Sequence, residues 1–308
     1  MNTLGYACQN TILSERPLTE RIMMSRSCIR RTFDTKGLDY ISQLTLLNAQ
    51  DLIKILQWNE EHGIKFFRLS SDICPWASYF DMTDMRDYEL IHETLRRAGA
   101  YASAHSHRLT SHPGQFNVLP SPNPNVVERC IVDLTIHGTI FDWMGVSRTP
   151  YNKINIHLGG AYGDKQSAME RFCKNFERLP DSVQTRLTVE NDDKASMYSV
   201  QDLYDGVYKR IGIPIVFDYH HHRFCPGDLS EREALELAMS TWPDDIVPVV
   251  HYSESRRDEQ KNDKLKPQAH SDYVYDYIDT YGNTVDIMIE AKRKEQAVFR
   301  YKEIHNEI

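Results

Sequence analysis

One pattern constrains this chain more than any other. Short apolar, β-branched runs recur eight times, and polar–apolar stretches of helical period separate them. The runs lie at 3–8, 65–69, 108–111, 153–157, 186–190, 214–218, 247–251 and 285–290. The helical stretches lie at 49–62, 87–105, 125–143, 165–179, 199–210, 230–240, 272–281 and 292–304. Such alternation means parallel strands joined by crossover helices. Eight units in 308 residues predict an α/β fold, a (β/α)8 TIM-type barrel, with residues 1–308 as a single domain. An open doubly wound sheet is the alternative, but no Gly-rich phosphate loop follows the first run. Neither an internal repeat nor a low-complexity linker divides the chain. Residues 15–47 are long for a loop after the first strand and are expected to cover the barrel mouth or contribute to binding.

The polar residues gather at the ends of these strands. The third run ends in Ser111-His112-Pro113-Gly114-Gln115 and the fourth in Asn155-Ile156-His157. The fifth ends in Glu190-Asn191-Asp192 and the sixth in Asp218-Tyr219-His220-His221. The seventh ends in His251 and the eighth in Glu290, so six consecutive strands finish in His or a carboxylate. C-terminal strand ends converge on one mouth of a barrel, where such groups would be costly to bury unpaired. Together they make a ring of imidazoles and carboxylates suited to cations. Any one of them alone reads as an ordinary hydrogen-bonded residue; six in succession do not. A catalytic zinc typically takes three protein ligands, and this ring offers more. It therefore predicts a cluster of two or three divalent ions. Such clusters polarise phosphate, supply hydroxide at neutral pH and stabilise a leaving oxygen. No Ser-His-Asp or Cys-His arrangement competes with this reading.

Composition sets the class. At 41% hydrophobic residues the chain can bury a large core. No apolar run approaches the length of a membrane span, and the start, MNTLGYACQN, has no secretory pattern. The six cysteines are scattered without CxxC spacing and are expected to be reduced thiols of an intracellular protein. The formal charge of −8 argues by itself against a nucleic-acid partner. Bound cations would offset part of it, and basic residues cluster at Arg26, Arg30, Arg31 and Lys36, at Arg256, Arg257, Lys261, Lys264 and Lys266, and at Lys292, Arg293 and Lys294. A solvated face remains the alternative for each cluster.

The segments that carry these residues resemble the UV damage endonuclease family. They are Gly5-Tyr6-Ala7-Cys8-Gln9-Asn10, Phe67-Arg68-Leu69-Ser70-Ser71, His112-Pro113-Gly114-Gln115-Phe116, Ile156-His157-Leu158-Gly159-Gly160 and Val189-Glu190-Asn191-Asp192-Asp193. They continue with Phe217-Asp218 and His221, His251-Tyr252-Ser253-Glu254, Lys266-Pro267-Gln268-Ala269-His270 and Ile287-Met288-Ile289-Glu290-Ala291-Lys292. A single HPGQ would be weak; the ordered set is specific. The resemblance implies that His112 and His157 hold one ion, with Glu190 bridging to a second. Asp218, His251 and Glu290 complete the second, and His221 and His270 hold a third. Choosing His221 over His220 and His222 rests on the family pattern. Glu190, His251 and Glu290 are the implied catalytic set. Tyr6, Asn10, Gln115 and Phe116 are the implied lesion contacts, with an aromatic and an amide wedging where bases are already unstacked. Burial of Phe116 in the core is the competing reading.

Three departures stand out. Relatives often carry a His where Pro75-Trp76-Ala77-Ser78-Tyr79 ends in Tyr79, and His105 or His107 is a candidate substitute. Some carry a lysine where this chain has Val249, and a Tyr where it has Phe116. The resemblance implies a DNA repair endonuclease that nicks immediately 5′ of cyclobutane pyrimidine dimers and 6-4 photoproducts, with abasic sites also in range, leaving 3′-hydroxyl and 5′-phosphate ends. Manganese leads among the ions, with zinc or magnesium as alternatives, and no ATP is expected. The expected partner is damaged double-stranded DNA, with no membrane and no obligate protein partner. The expected location is the cytoplasm or nucleoid of a bacterium, or the nucleus of a eukaryote. The rivals are an apurinic endonuclease without photoproduct activity, a sugar isomerase or epimerase on the same barrel, and a non-catalytic damage-binding protein.

Overall fold

The computed structural model describes residues 2–306. Its strands are β1 (Thr3–Ala7), β2 (Phe66–Leu69), β3 (Arg108–Ser111), β4 (Ile154–His157), β5 (Leu187–Glu190), β6 (Ile215–Asp218), β7 (Val249–Tyr252) and β8 (Asp286–Ile289). All pair in parallel and close into one barrel in chain order. Strand register decides which polar ends become neighbours. Pairing of β4 with β5 sets His157 opposite Glu190, and pairing of β6 with β7 sets Asp218 opposite His251. Closure of β8 on β1 sets Ile289 opposite Tyr6, which leaves Glu290 one residue beyond the ladder.

Around the barrel run α1 (Arg30–Glu61), α2 (Tyr88–Ala104), α3 (Pro124–Met144), α4 (Lys165–Phe176), α5 (200–211), α6 (Glu231–Met239), the short α7 (Arg256–Glu259) and α8 (Glu295–His305). Local sequence sets their limits. The Asn123 side chain caps α3 on the Asn125 amide, Pro124 occupies its first turn, and Gly145 ends it in the left-handed region at φ 67°. The opposite end of the barrel is plugged by Arg108. Its guanidinium donates to the Tyr151 carbonyl at 2.9 Å, the Val247 carbonyl at 2.7 Å and Asp286 at 2.8 Å. The six cysteines are free thiols. Among the described residues, no helix is long and apolar enough to cross a membrane.

The structure departs from the sequence expectation in three places. Residues 272–281 are not helical. Their amides are taken by side chains: Glu259 accepts from Asp272 and Tyr273, and Glu254 accepts from Tyr275 and Asp276. Those acceptors compete with the helical i→i−4 pattern. Residues 15–47 are not one long loop, because α1 starts at Arg30 and continues through the helix expected at 49–62. A kink at Gly37, with φ 68° and ψ −166°, interrupts the periodicity that would have shown this. The last helix starts at Glu295 and not at Lys292, because Lys294 adopts φ 51° and ψ −122°.

Helices α2 and α3 approach closely at Gly99, where a Cβ would lie 1.8 Å from the Met144 carbonyl oxygen. Helix propensity alone makes Gly99→Ala stabilising by about 1 kcal/mol. The clash reverses the sign, and we expect a net loss of about 1–3 kcal/mol, seen as a lower thermal midpoint. An unchanged or higher midpoint would show that the two helices can separate freely.

Candidate metal centre

Glu190, at the end of β5, is 1% exposed and sits at the middle of the mouth. His112 Nε2 lies 3.1 Å from its Oε2, while His251 Nδ1 and His221 Nδ1 lie 3.2 and 3.3 Å from its Oε1. His251 Nδ1 is also 3.2 Å from Glu290 Oε1. The His157 ring centre lies 5.6 Å from that of His112 and 5.3 Å from that of His221. His270 stands at the rim, with Nε2 4.0 Å from Glu290 Oε2. The structure therefore gathers all eight residues named as ligands from the sequence. Two triads have donor atoms within 4.8 Å of one another: His112, His157 and Glu190, and Glu190, Asp218 and His251.

Among the buried side-chain atoms at this centre without a hydrogen-bond partner are Glu190 Oε1, Asp218 Oδ2 and His251 Nδ1. Bare buried acceptors are costly and rare. A divalent cation would satisfy all three, so the residues present fit such an ion. The surrounding groups set the imidazoles for the task. His112 Nδ1 lies 3.2 Å from the Pro113 carbonyl while its Nε2 faces Glu190, and His221 Nδ1 lies 2.9 Å from the Asn191 carbonyl. Asp192 Oδ1 lies 3.2 Å from His157 Nδ1. The fold also distinguishes the three adjacent histidines. His220 packs edge-on against Phe224 and His222 lies against Phe217, while His221 faces Glu190.

Charge balance at the centre is tight. Burial pushes the Glu190 carboxyl upward, but His251, His157 and His112 hold it well below its ordinary value. Burial likewise opposes Glu290, which Arg68 and His251 hold well below its ordinary value. Asp218 goes the other way, up to about 7, through burial reinforced by Glu190 and Glu290. Burial opposes protonation of His157, yet Glu190, Asp192 and Asp218 outweigh it and raise the group to about 9.

Four supporting residues escaped the sequence reading of the site. Arg68 forms an ion pair with Glu290. Asn155 donates to Glu190. Asp192 backs His157. Lys153, fully buried, places Nζ 3.2 Å from His251 Nε2. Burial pulls Lys153 down to about 7, with Arg68 and Arg108 adding and Glu190 and Glu290 opposing. If His251 is to offer Nδ1 to a cation, Nε2 must carry the proton and Lys153 must accept it as the free amine. Val249, at the position where some relatives have a lysine, lies in an apolar cluster with Phe66, Val216 and Met288.

His105 and His107 do not substitute at the mouth. They precede β3, at the other end of the barrel, where both lie against Glu60. Tyr79 is 59% exposed, with the Arg30 guanidinium 4.7 Å from its ring centre. Tyr6 and Asn10 are buried: Tyr6 Oη donates to Asn59 at 2.7 Å and accepts from Asn10 Nδ2 at 3.0 Å. In this conformation they brace the loop after β1 and present no free polar atom to the mouth. Gln115 and Phe116 are exposed beyond the Pro113-Gly114 turn, and Phe116, at 83% exposure, is not a core residue. In the basic loop after β7, Arg256 lies 3.8 Å from Asp272 and Arg257 3.1 Å from Asp258, while Lys261, Lys264 and Lys266 are exposed.

The chain matches the family described as UV-endonuclease UvdE over residues 2–307. It is 42% identical over 305 residues to the UV-damage endonuclease of Schizosaccharomyces pombe, covering 96% of this chain and 49% of that protein. It is 35% identical over 274 residues to the UV DNA damage endonuclease of Bacillus mycoides, covering 85% of this chain and 82% of that protein. The chain thus spans about half the length of the yeast relative. The crystal structure of SacUVDE superposes with a TM-score of 0.84 at 30% identity, covering 100% of this chain and 99% of that one.

Two outcomes are expected from the donor set. Lys153→Met should weaken manganese binding about 10- to 100-fold, the usual effect of losing a group that orients a ligand. Manganese affinity should also rise with pH up to about 9, because His157 holds a proton below that value and must release it. Calorimetric titration of the metal-free protein checks both, and pH-independent affinity with unchanged binding in the variant would refute this account of the site.

Proposed function

The chain belongs to the UV-endonuclease UvdE family, and on that premise we propose that it is a metal-dependent DNA repair endonuclease that nicks the strand immediately 5′ of UV photoproducts. Cyclobutane dimers and 6-4 photoproducts are the substrates, with abasic sites also accepted, and the products carry 3′-hydroxyl and 5′-phosphate ends. The observation that carries this reading is one juxtaposition. A ring of eight nitrogen- and oxygen-bearing side chains, with Glu190, Asp218, His221 and His251 buried, is followed four residues beyond its member His112 by an exposed aromatic, Phe116.

Two or three divalent ions, manganese in first place, would be held by His112, His157, Glu190, Asp218, His221, His251, His270 and Glu290. Bound there, they supply Lewis acidity toward the phosphodiester and lower the pKa of water. The protein's own part is placement. Glu190 faces both triads, His251 and Glu290 fix the deeper one, and Arg68 keeps Glu290 ionised. No side chain need act as general base, and the reaction uses no ATP. Gln115 and Phe116 fill the space that a distorted duplex opens, since unstacking is least costly where pairing is already disturbed. D-Psicose 3-epimerase shares the barrel at TM-score 0.53 and 15% identity, a likeness of fold alone. A bare aromatic standing out from the mouth suits a polymer substrate and not an enclosed sugar.

Glu190→Gln is expected to abolish incision of a labelled duplex carrying one defined dimer while the thermal transition stays cooperative. Near-normal turnover with full metal occupancy would remove Glu190 from its role. The double variant Gln115→Ala with Phe116→Ala should lose affinity for lesion duplex more than for undamaged duplex at fixed salt. Equal losses on both would mean that these residues do not sense the lesion.

A further inference from the structure

Lys294 stands out once the site is explained. Its backbone, at φ 51° and ψ −122°, lies in a region that suits glycine and strains any residue with a Cβ. It occupies the position just before α8, four residues beyond Glu290. The intervening turn is tied by hydrogen bonds from Lys294 N to the Ala291 carbonyl, from Lys292 N to the Ser271 carbonyl and from Arg293 N to the Asp272 carbonyl. The Lys294 ammonium is partly buried, yet among the described residues it forms neither a hydrogen bond nor an ion pair.

The charges around it do not balance. Cys8, Arg68, Glu290 and Lys292 all act on Lys294 electrostatically. Only Glu290 among them is a carboxylate, and its Oε1 is already the partner of Arg68. The Arg68 Nε is itself buried without a partner. Burial pulls the Lys294 ammonium below its ordinary value; Cys8 and Glu290 oppose this, and Arg68 and Lys292 add to it. Glu290 is thus committed to Arg68, and Lys294, four residues beyond it, has no carboxylate of its own among the described residues, in a protein whose formal charge is −8. A strained backbone holding an unpaired, partly buried cation beside a reactive centre is the mark of a group kept for a ligand.

We propose that Lys294, with Arg68 beside it, binds a backbone phosphate of the strand being cut, on the β8–β1 side of the metal centre. The assignment rests on the endonuclease reading above. The lysine supplies a point charge to a non-bridging phosphate oxygen, and Arg68 offers the remaining face of its guanidinium while still holding Glu290. The contact is independent of base sequence and fixes the register of the strand across the centre.

Three variants test it. Lys294→Gly removes the charge and relieves the strain, Lys294→Gln removes the charge alone, and Lys294→Arg keeps it. Binding is measured by fluorescence anisotropy with chelator present, so that nothing is cut, on one dimer-containing duplex and on versions with single methylphosphonates near the lesion. Lys294→Gly should have a higher thermal midpoint than the wild type. Both neutral variants should bind about tenfold or more weakly, the scale of one charge-assisted hydrogen bond, while Lys294→Arg stays close to wild type. One methylphosphonate position should weaken the wild type by a similar factor and leave the neutral variants unaffected. With metal restored, the neutral variants should show a raised KM at that same duplex. Wild-type affinity in either neutral variant overturns the proposal. So do equal methylphosphonate effects at every position, or a lower midpoint for Lys294→Gly. A wild-type protein that keeps the Lys294–phosphate coupling but does not cut at the lesion would overturn the endonuclease reading instead.

Discussion

A single buried carboxylate organises the mouth of this barrel. Glu190 has almost no access to solvent, and three imidazoles approach it within 3.3 Å. An isolated ionised carboxylate at such depth would carry a large desolvation penalty. Here the penalty is met by converging donors, and the same convergence brings together the atoms that a cation needs. Ionisation of Glu190 and preorganisation of the metal centre are one arrangement. The groups behind it, Asn155 on Glu190, Asp192 on His157 and Lys153 on His251, hold that arrangement from outside the ring of ligands.

The rest of the barrel serves to keep that geometry fixed. The strands are too short to impose rigidity by length, so closure does the work: each ladder is held on both edges, and the end away from the site is filled by Arg108 and its carbonyl partners. The residues at the mouth then differ in how far packing and hydrogen bonds hold them. Tyr6 and Asn10 are locked to Asn59 and to each other, and the buried Glu295 carboxylate accepts from the Thr11 and Ile12 amides just beyond them. Phe116 has no comparable restraint from packing. A buried carboxylate centre thus stands with an exposed aromatic four residues beyond one of its imidazoles.

Much of this was legible in the amino-acid sequence. The period of the apolar runs determined a parallel barrel, since each run is too short for a helix and each intervening stretch has helical spacing. The type of residue ending each strand pointed to a candidate cation site, because strand ends of a barrel can only meet at its mouth. Both are local signals that the barrel's symmetry converts into a three-dimensional statement. The exposure of Phe116, by contrast, was open between core and surface until the turn at Pro113 and Gly114 was seen to carry it outward.

What only the tertiary structure decided depends on contacts between residues far apart in the chain. Lys153 reaches His251 across 98 positions and Arg68 reaches Glu290 across 222. Neither pairing leaves a trace in spacing or composition. The 272–281 segment has a helix-like pattern, but its amides are captured by Glu254 and Glu259, so distant acceptors overrode local propensity. His105 and His107 looked like candidates by residue type, and the direction of β3 put them at the wrong end of the barrel. Residue type and period are properties of neighbours along the chain, and they announced the barrel and its ring of ligands. The partners that set each ligand's charge and orientation meet only when the sheet closes, and closure belongs to the whole fold.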